Sequence, residues 1–313
     1  MKVVRTVGEL RAALEPGGDL SARPLDCRSV ANGAPLRTIG LVPTMGALHE
    51  GHLSLMAAAR SQCEIVVVSL FVNPSQFDEG ADLDRYPRRE TNDARLAERA
   101  GADLLFAPSV EEVYPDDFST SVEVLGLTDR LEGASRGASH FRGVTTVVTK
   151  LLNMVAPDVA YFGQKDAQQV AVIKRMVADL NMRVGIEVCN TVRERDGLAM
   201  SSRNSRLSPD QRARAGALFQ ALERAADVAY AGEHSAERLV RTARETLATR
   251  EIEPEYLELV DPLTFEPVQS LSATALLLVA ARVGETRLID NFVLDPALAG
   301  AAPPTGEPAS LAN

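Results

Sequence analysis

The chain has 313 residues, 45% of them hydrophobic and 24% charged, a composition typical of a globular protein with one large domain or two smaller ones. Its net charge of −10 disfavours a large nucleic-acid partner, and no apolar stretch reaches the roughly 18 residues needed to cross a membrane. The three cysteines are well separated and form no CxxC pair, so we expect neither disulfide bonds nor a zinc site. The first residues lack the apolar block of a signal peptide, so we expect a cytoplasmic location.

Strands and helices are predicted to alternate through the first part of the chain. Residues 15–36 are rich in Gly, Pro and small polar residues and predict a loop. Apolar, β-branched runs then predict buried strands over 38–43, 64–71, 103–106, 159–162 and 183–189, and the intervening periodicity predicts helices over 53–62, 87–100, 144–155 and 170–180. This alternation is typical of an α/β fold, a Rossmann-like doubly wound parallel sheet, to which we assign residues 1–191.

The remaining sequence has a different character. Residues 209–250 predict two Ala-, Arg- and Glu-rich helices separated near Gly232, and strand-like runs follow over 256–260, 275–283 and 286–292. We therefore expect a smaller C-terminal α+β domain over 192–295. Residues 296–313 contain little apolar material beyond alanine and predict a disordered tail.

The segment Pro43–His52, PTMGALHEGH, follows the first buried strand and opens a helix. In open α/β sheets, ligands bind outside the carboxyl end of a strand and at a helix N-terminus. His49 and His52 share one face of the helix start, while Gly46 permits a tight turn and Gly51 permits close approach of a phosphate. The imidazoles and nearby main-chain N–H groups suit phosphate oxygens. The alternative is a pair of capping or surface histidines; a zinc site lacks the usual spacing and a third ligand.

Two further segments suit phosphate binding. Gly163–Asp166, GQKD, again follows a predicted strand and contains Lys165, one of only four lysines. Its alternative is a solvated lysine paired with Asp166. Met200–Asn204, MSSRN, offers hydroxyl, guanidinium and amide groups, and its alternative is a polar linker or a helix cap.

Two glutamines suggest what the substrate carries, and the absence of two nucleotide-binding motifs excludes two classes of enzyme. Gln76 lies in FVNPSQF after a buried strand, and Gln169 lies one helical turn beyond Lys165. Neutral amides can bind hydroxyl and carboxylate groups, although glutamines are also common on surfaces. The sequence contains neither GxxxxGK[ST] nor GxGxxG, which argues against a P-loop kinase and an ordinary dinucleotide dehydrogenase.

VPTMGALHEGHLSL resembles the HxGH signature of the nucleotidyltransferase superfamily that includes class I aminoacyl-tRNA synthetases, and MSSRN resembles the second signature of those enzymes. More narrowly, five segments in this order and spacing resemble the pantothenate synthetase, or pantoate–β-alanine ligase, family: PTMGALHEGH, FVNPSQF, HFRGVTTVVTKLLN, FGQKDAQQ and VRERDGLAMSSRN. The resemblance extends from about residue 38 to residue 293.

The resemblance implies a set of functional residues. His52 is the principal catalytic histidine, with His49 beside it and Lys165 as a further catalytic residue. The residues implied to bind ATP are Met45, Gly46, Ala47, Leu48, His49, Glu50, Gly51, His52, Gly163, Gln164, Lys165, Asp166, Val192, Met200, Ser201, Ser202 and Arg203. Gln76 and Gln169 are implied to hold pantoate, with Gln76 also near β-alanine. The family uses Mg²⁺ and is typically homodimeric; since this chain has Asn92-Asp93 where some relatives carry an acidic pair, the metal ligands stay unassigned.

The implied reaction is the ATP-dependent joining of pantoate to β-alanine through a pantoyl-adenylate, with release of AMP and pyrophosphate. Two alternatives remain open at this point: another HxGH nucleotidyltransferase, and a non-catalytic nucleotide-binding sensor. Glutamines rather than arginines in the acid pocket disfavour a phosphorylated acceptor, and the acidic net charge without a basic stripe disfavours a tRNA-charging enzyme.

Overall fold

The computed structural model describes residues 1–15, 30–31, 34–35, 38–77, 83 and 86–298. Most of the predicted loop over 15–36 lies outside these residues, as do residues 299–313 of the tail predicted over 296–313. Residues 296–298, predicted to be disordered, instead form a short 3₁₀ turn. Within the loop region the described residues form two short paired strands, β2 (Val30–Ala31) and β3 (Ala34–Pro35). Among the residues described, no helix combines the length and apolar character required to span a membrane.

The chain divides into two compact units. The first contains residues 1–128, 132–162 and 172–187, and the second contains 129–131, 163–171 and the chain from 188 onward. The predicted domain limits, 1–191, 192–295 and 296–313, stay predictions.

A six-stranded parallel sheet forms the centre of the first unit. Its strands are β1 (Lys2–Val4), β4 (Ile39–Thr44), β5 (Ile65–Leu70), β6 (Leu104–Phe106), β7 (Val159–Gly163) and β8 (Gly185–Cys189), in the order β1-β6-β5-β4-β7-β8. The chain runs outward from β4 through β5 to β6 and returns to β7 on the other side of β4. The strand order therefore reverses beside β4, and the carboxyl end of a strand at such a reversal is where open α/β sheets bind ligands.

Helices connect these strands. They are α1 (Val7–Leu14), α2 (Glu50–Gln62), α3 (Glu90–Arg99), α4 (Val110–Val113), α5 (Glu132–Arg136), α6 (Ala138–Val155) and α7 (Ala167–Asp179). Helix α2 begins three residues before the predicted start at Leu53, because His49 occupies the N-cap position and the histidine segment forms the first turn. The predicted helix over 144–155 also begins earlier, at Ala138.

The second unit is built around a three-stranded antiparallel sheet. Helices α8 (Pro209–Ala215), α9 (Ala217–Tyr230) and α10 (Ala236–Ala248) precede strands β9 (Pro254–Val260), β10 (Ala275–Val283) and β11 (Thr286–Leu294), whose order in the sheet is β11-β10-β9. Leucine and alanine side chains of α9 and α10 pack on one face of this sheet to form a buried core. The predicted separation near Gly232 is confirmed, because α9 ends at Tyr230 and α10 begins at Ala236, but the predicted number of two helices is wrong: a break at Gly216 separates α8 from α9. The predicted fold class, a doubly wound α/β sheet with a smaller α+β part, is confirmed.

Candidate active site

The turn that follows β4 has an unusual backbone. Gly46 has a φ of +91° and Ala47 a φ of +52°, so two successive residues adopt the left-handed region. A side chain at Gly46 would also approach the Leu70 Cδ1 atom to 2.9 Å. The predicted role of Gly46 in a tight turn is confirmed. The left-handed conformation of Ala47 costs about 1–2 kcal/mol, which other contacts of the turn must offset.

The buried carboxylate of Asp93 holds this turn. Asp93 lies on α3 and is only 1% exposed, and its two oxygens accept hydrogen bonds from the main-chain N–H groups of Ala47 and Leu48, each at 2.9 Å. Charge-assisted bonds of this kind are stronger than neutral ones. They fix the main chain that leads directly into the first turn of α2.

The two histidines lie next to each other at the start of α2. His49 is the N-cap residue, and the ring centroids of His49 and His52 are 4.1 Å apart. The main-chain N–H of His49 donates to Nδ1 of His52 at 3.3 Å. Since an N–H group can only donate, Nδ1 is the acceptor, and the neutral His52 ring carries its proton on Nε2. The main chain thereby makes Nε2 a hydrogen-bond donor, as a group that stabilises phosphate oxygens must be.

The loop after β5 orients Gln76. The Oδ1 atom of Asn73 accepts from the main-chain N–H of Ser75, and its Nδ2 donates to the main-chain oxygen of Gly143 and to Oε1 of Gln76. This chain of bonds leaves Nε2 of Gln76 as the donor end of the amide. That nitrogen lies 3.1 Å from the Met45 sulfur, so two residues predicted to bind different substrates are neighbours.

Helix α6 and the residue that follows α4 support the same loop. The His140 ring donates from Nδ1 to the main-chain oxygen of Gln76 at 2.8 Å, and the Tyr114 hydroxyl donates to Oδ1 of Asn73 at 2.9 Å. Burial raises the pKa of Tyr114, so this hydroxyl stays a donor at neutral pH. The Lys150 ammonium lies 4.3 Å from the Phe118 ring centroid, and burial lowers the pKa of this lysine.

In the second unit, the segment Gly163–Asp166 forms a short turn after β7. The Lys165 ammonium lies 3.6 Å from a carboxylate oxygen of Asp166, and the Lys165 side chain is 18% exposed. The alternative of a pair with Asp166 is thus observed, although the lysine is largely buried rather than solvated. A side chain at Gly163 would meet nothing within 4 Å, and its backbone has an ordinary φ of −87°, so the fold itself does not require glycine there.

Gln169 lies in the first turn of α7 and is half-buried. Its neighbour Gln168 is buried and donates to the main-chain oxygen of Arg130 at 2.9 Å, which makes that side chain part of the scaffold. No hydrogen bond of the Gln169 amide is found among the residues described, so this amide can accept a ligand without breaking a bond of the fold.

The segment from Val192 to Arg203 folds back on itself in the second unit. The Met200 N–H donates to the Val192 oxygen at 2.9 Å, and Ser201 caps the following turn by accepting from the Arg203 N–H. The predicted alternative of a cap therefore applies to Ser201. At the tip of the segment, hydrogen bonding to the Arg212 guanidinium lowers the pKa of Asp196.

Comparison with known proteins assigns this arrangement to a family. The family model described as pantoate-beta-alanine ligase matches residues 19–293. The chain belongs to this family. A pantothenate synthetase from Heliobacterium modesticaldum is 54% identical over 83% of this chain and 92% of that protein, and one from Acetivibrio thermocellus is 47% identical over 94% and 100%.

Solved structures of the family agree. The crystal structure of pantothenate synthetase from Thermus thermophilus superposes with a TM-score of 0.84 at 46% identity, covering 93% of this chain and 99% of that one. A pantoate-beta-alanine ligase from Francisella tularensis, whose structure is complexed with β,γ-ATP and β-alanine, superposes with a TM-score of 0.73 at 31% identity, covering 94% and 97%. The protein is therefore an enzyme, a ligase that forms an amide bond, rather than either alternative that the sequence left open.

The structure also identifies three supporting residues that the sequence alone did not single out. Asn73 was visible only as part of FVNPSQF, and Asp93 only as half of a substituted acidic pair. Asn291 gave a weaker signal, a polar residue within the apolar strand β11. Each of these side chains is buried and bonded to a segment that carries a predicted site residue.

Proposed function

We propose that this ligase condenses pantoate with β-alanine in two steps. A carboxylate oxygen of pantoate attacks the α-phosphorus of ATP, which forms pantoyl-adenylate and releases pyrophosphate. The deprotonated β-alanine amine then attacks the acyl carbon, AMP leaves, and the amide nitrogen loses its remaining extra proton to solvent. The protein positions the reactants and stabilises charge without forming a covalent enzyme intermediate.

The observation that carries this proposal is the position and tautomer of His52. Its Nδ1 atom accepts the His49 main-chain N–H at the start of α2, and Nε2–H is therefore the donor. A donor beside a helix N-terminus, at the carboxyl end of the strand where the sheet order reverses, suits negative charge that develops on phosphate oxygens.

The remaining roles follow from the chemistry of each group. His49 and the residues from Met45 to His52 are proposed to bind ATP, together with Gly163–Asp166, Val192 and Met200–Arg203. Lys165 supplies a cation for the phosphates. The side chain of Gln164 is bonded to Asn291, so its proposed contact with ATP is through the main chain.

Two amides are proposed to bind pantoate. Gln76 presents Nε2 as a donor because its Oε1 is occupied by Asn73, and the side-chain amide of Gln169 forms no hydrogen bond with the described residues. Donors of this type suit the carboxylate and hydroxyl oxygens of pantoate.

The structure of the Francisella relative contains β,γ-ATP and β-alanine, which supports the binding of ATP and β-alanine by this family member.

We propose that Mg²⁺ is bound mainly through phosphate oxygens of ATP, as is common for this ion. Among the residues described, no group of three His, Cys, Asp or Glu side chains could hold a metal, and both oxygens of Asp93 accept main-chain bonds. A homodimer and a cytoplasmic location stay predictions. Light scattering, which measures the mass in solution, would test the homodimer.

An isotope experiment tests the two-step route. Enzyme, Mg²⁺, ATP and pantoate without β-alanine should exchange labelled pyrophosphate into ATP, and omission of pantoate should abolish the exchange. With carboxyl-¹⁸O pantoate and β-alanine present, one ¹⁸O should appear in AMP, because that oxygen bridges the acid and the phosphorus. Label in inorganic phosphate, or exchange that requires β-alanine, would overturn the adenylate route.

A further inference from the structure

Two adjacent polar residues interrupt the apolar sequence of β11 in the second unit. Asp290 and Asn291 are 2% and 3% exposed, although neighbouring positions of the strand carry leucine, isoleucine and phenylalanine. Successive side chains of a strand leave opposite faces of the sheet. Asp290 lies opposite Val279 on the face that carries the hydrophobic core, and Asn291 lies on the other face.

The Asn291 amide is fully engaged by the turn that carries Lys165. Its Nδ2 donates to the main-chain oxygen of Gln164 at 2.9 Å and to that of Lys165 at 3.0 Å. Its Oδ1 accepts from Nε2 of Gln164 at 3.0 Å. One buried side chain therefore satisfies two carbonyl groups and a side-chain amide of a turn that is more than a hundred residues earlier in the chain.

Asp290 connects the same strand to the segment that begins at Val192. Its carboxylate forms two bonds to the Arg193 guanidinium, at 2.6 and 3.0 Å, and the Arg193 side chain is only 10% exposed. The guanidinium also lies 4.0 Å from the Phe219 ring centroid and donates to the main-chain oxygen of Gly197. Strand β11 thus bonds to the turn that carries Lys165 and to Arg193, the residue that follows Val192.

We propose that Asn291 is a positioning residue for Lys165: it fixes the main chain of residues 164 and 165 and thereby sets where the ammonium lies. The inference rests on the proposed function, in which Lys165 contacts the ATP phosphates.

The chemistry of the turn explains why an amide is needed at position 291. Two carbonyl oxygens require two donors, and a side-chain carboxamide provides both donors together with an acceptor for Gln164. A carboxylate of the same shape would place one negatively charged oxygen, in the position of Nδ2, against both carbonyl oxygens. Asn291→Asp therefore changes the hydrogen bonding while leaving the volume of the side chain nearly unchanged.

The test is a double-mutant cycle with Asn291→Asp and Lys165→Ala, with initial rates measured while ATP and pantoate are varied separately. Asn291→Asp should lower kcat/KM for ATP roughly 5- to 50-fold, no more than Lys165→Ala itself does, because displacing a binding group cannot cost more than removing it. The KM for pantoate should stay within about twofold of the wild-type value. In the Lys165→Ala background, Asn291→Asp should lower kcat/KM for ATP less than about threefold, because the group that it positions is already absent.

The control variant is Asn153→Asp, since Asn153 also donates to a main-chain oxygen but lies exposed on α6. It should leave both kinetic constants unchanged. If Asn291→Asp fails to fold, Asn291→Ala provides the same cycle without the added charge, and thermal unfolding identifies which variants are folded.

The outcomes separate this inference from the proposed function. If Lys165→Ala alone uses ATP normally, the proposed role of Lys165 is wrong. If Lys165→Ala is impaired while a folded Asn291 variant has normal kinetics, or multiplies the Lys165 effect in full, the positioning role of Asn291 is wrong. A rise in the KM for pantoate equal to that for ATP would also overturn it, because general distortion would then explain the loss.

Discussion

The turn after β4 and the turn after β7 are held in opposite chemical ways. Ala47 and Leu48 present main-chain N–H groups, and the buried carboxylate of Asp93 accepts both bonds. Gln164 and Lys165 present main-chain oxygens, and the buried amide of Asn291 donates both bonds. A turn that presents main-chain donors therefore requires aspartate, and a turn that presents main-chain acceptors requires asparagine, although the two side chains have nearly the same shape.

This contrast shows why the supporting residue cannot be exchanged between the two turns. A carboxylate has only acceptors and suits the first turn, whereas a carboxamide has two donors and suits the second. Replacing either one with the other keeps the volume and reverses part of the hydrogen bonding. The comparison predicts that both exchanges damage activity by displacing a neighbouring functional group.

The largest effect is expected at the first turn, where His52→Ala removes the donor itself. We expect kcat to fall roughly 10²–10³-fold, by analogy with the loss of one donor to a developing oxyanion. The midpoint of thermal unfolding should change little, because His52 is half-exposed at the start of α2. His234→Ala, which removes a histidine from the second unit, is the control, and near-normal turnover of His52→Ala would remove this residue from the mechanism.

The next effect is expected for Asp93→Asn. The amide can accept only one of the two main-chain bonds and places an N–H group against the other, so the turn and the first residues of α2 should shift. We expect kcat/KM for ATP to fall roughly 10- to 100-fold, with an unfolding free energy lowered by about 1–3 kcal/mol. Steady-state kinetics and denaturant unfolding measure the two changes.

Asp93→Asn also separates a supporting role from a metal-binding role. The exposed neighbour Asn92 provides the control, since Asn92→Ala removes a side chain from the same helix without touching the turn. If raising Mg²⁺ restores the activity of Asp93→Asn, the carboxylate acts as a metal ligand and our interpretation of the turn is wrong.

A smaller pair of effects should distinguish Lys165 from Gln169 within the second unit. Lys165→Ala should mainly impair the use of ATP, because it removes a cation, and Gln169→Ala should mainly raise the KM for pantoate, because it removes a neutral amide. Losses of roughly 5- to 50-fold are expected from the energies of charged and neutral hydrogen bonds. Lys174→Ala, which removes a lysine from the helix that carries Gln169, is the control. Identical kinetic patterns for Lys165→Ala and Gln169→Ala would mean that the pockets are wrongly assigned.

The smallest effect is expected for Asp196, which lies at the tip of the segment from Val192 to Arg203 and accepts hydrogen bonds from the Arg212 guanidinium. The folded pKa of Asp196 is lowered by this hydrogen bond, so its contribution to stability is complete above the unfolded value of about 3.9 and is lost as the pH falls through the folded pKa. The Asp196 side chain is 41% exposed, which limits the contribution at neutral pH to about 0.5 kcal/mol.

Asp196→Asn should therefore be slightly less stable than the wild type in denaturant at pH 7, and the difference should shrink as the pH is lowered below about 4. Asp116→Asn, at an exposed position, is the control. A difference that grows towards acid pH would contradict the assigned direction of the pKa shift.

The sequence was sufficient to predict five of the six strands of the parallel sheet, because these strands are apolar runs between turn residues. The strand predicted over 64–71 is observed as Ile65–Leu70, and the strand predicted over 275–283 has those limits. Helix starts were harder to predict: a glycine and two histidines hid the first turn of α2, and the break at Gly216 gave no periodicity signal. The three-residue strand β1 was missed because so short a segment has no measurable period.

The residues of the candidate site also differ in how well the sequence predicts them: residues that are adjacent in the sequence were predicted, and residues that are distant from the turn they support were not. The segment around His49 and His52 could be singled out because the predicted site residues and the helix start lie together in the sequence. Asp93 and Asn291 could not, because a buried carboxylate or amide shows its purpose only when the main-chain groups that it binds are known. Residues 47 and 93 are 46 positions apart, and residues 165 and 291 are 126 positions apart.

The separation between Lys165 and Asn291 has a consequence for how the protein is made. During synthesis, all five signature segments leave the ribosome before the last strand does, and the two carbonyl groups of the lysine turn are then hydrated by water. They gain their permanent partner only when β11 pairs with β10. A nascent or prematurely terminated chain that ends before residue 291 would thus contain every recognisable motif of the ligase and still lack a correctly placed lysine.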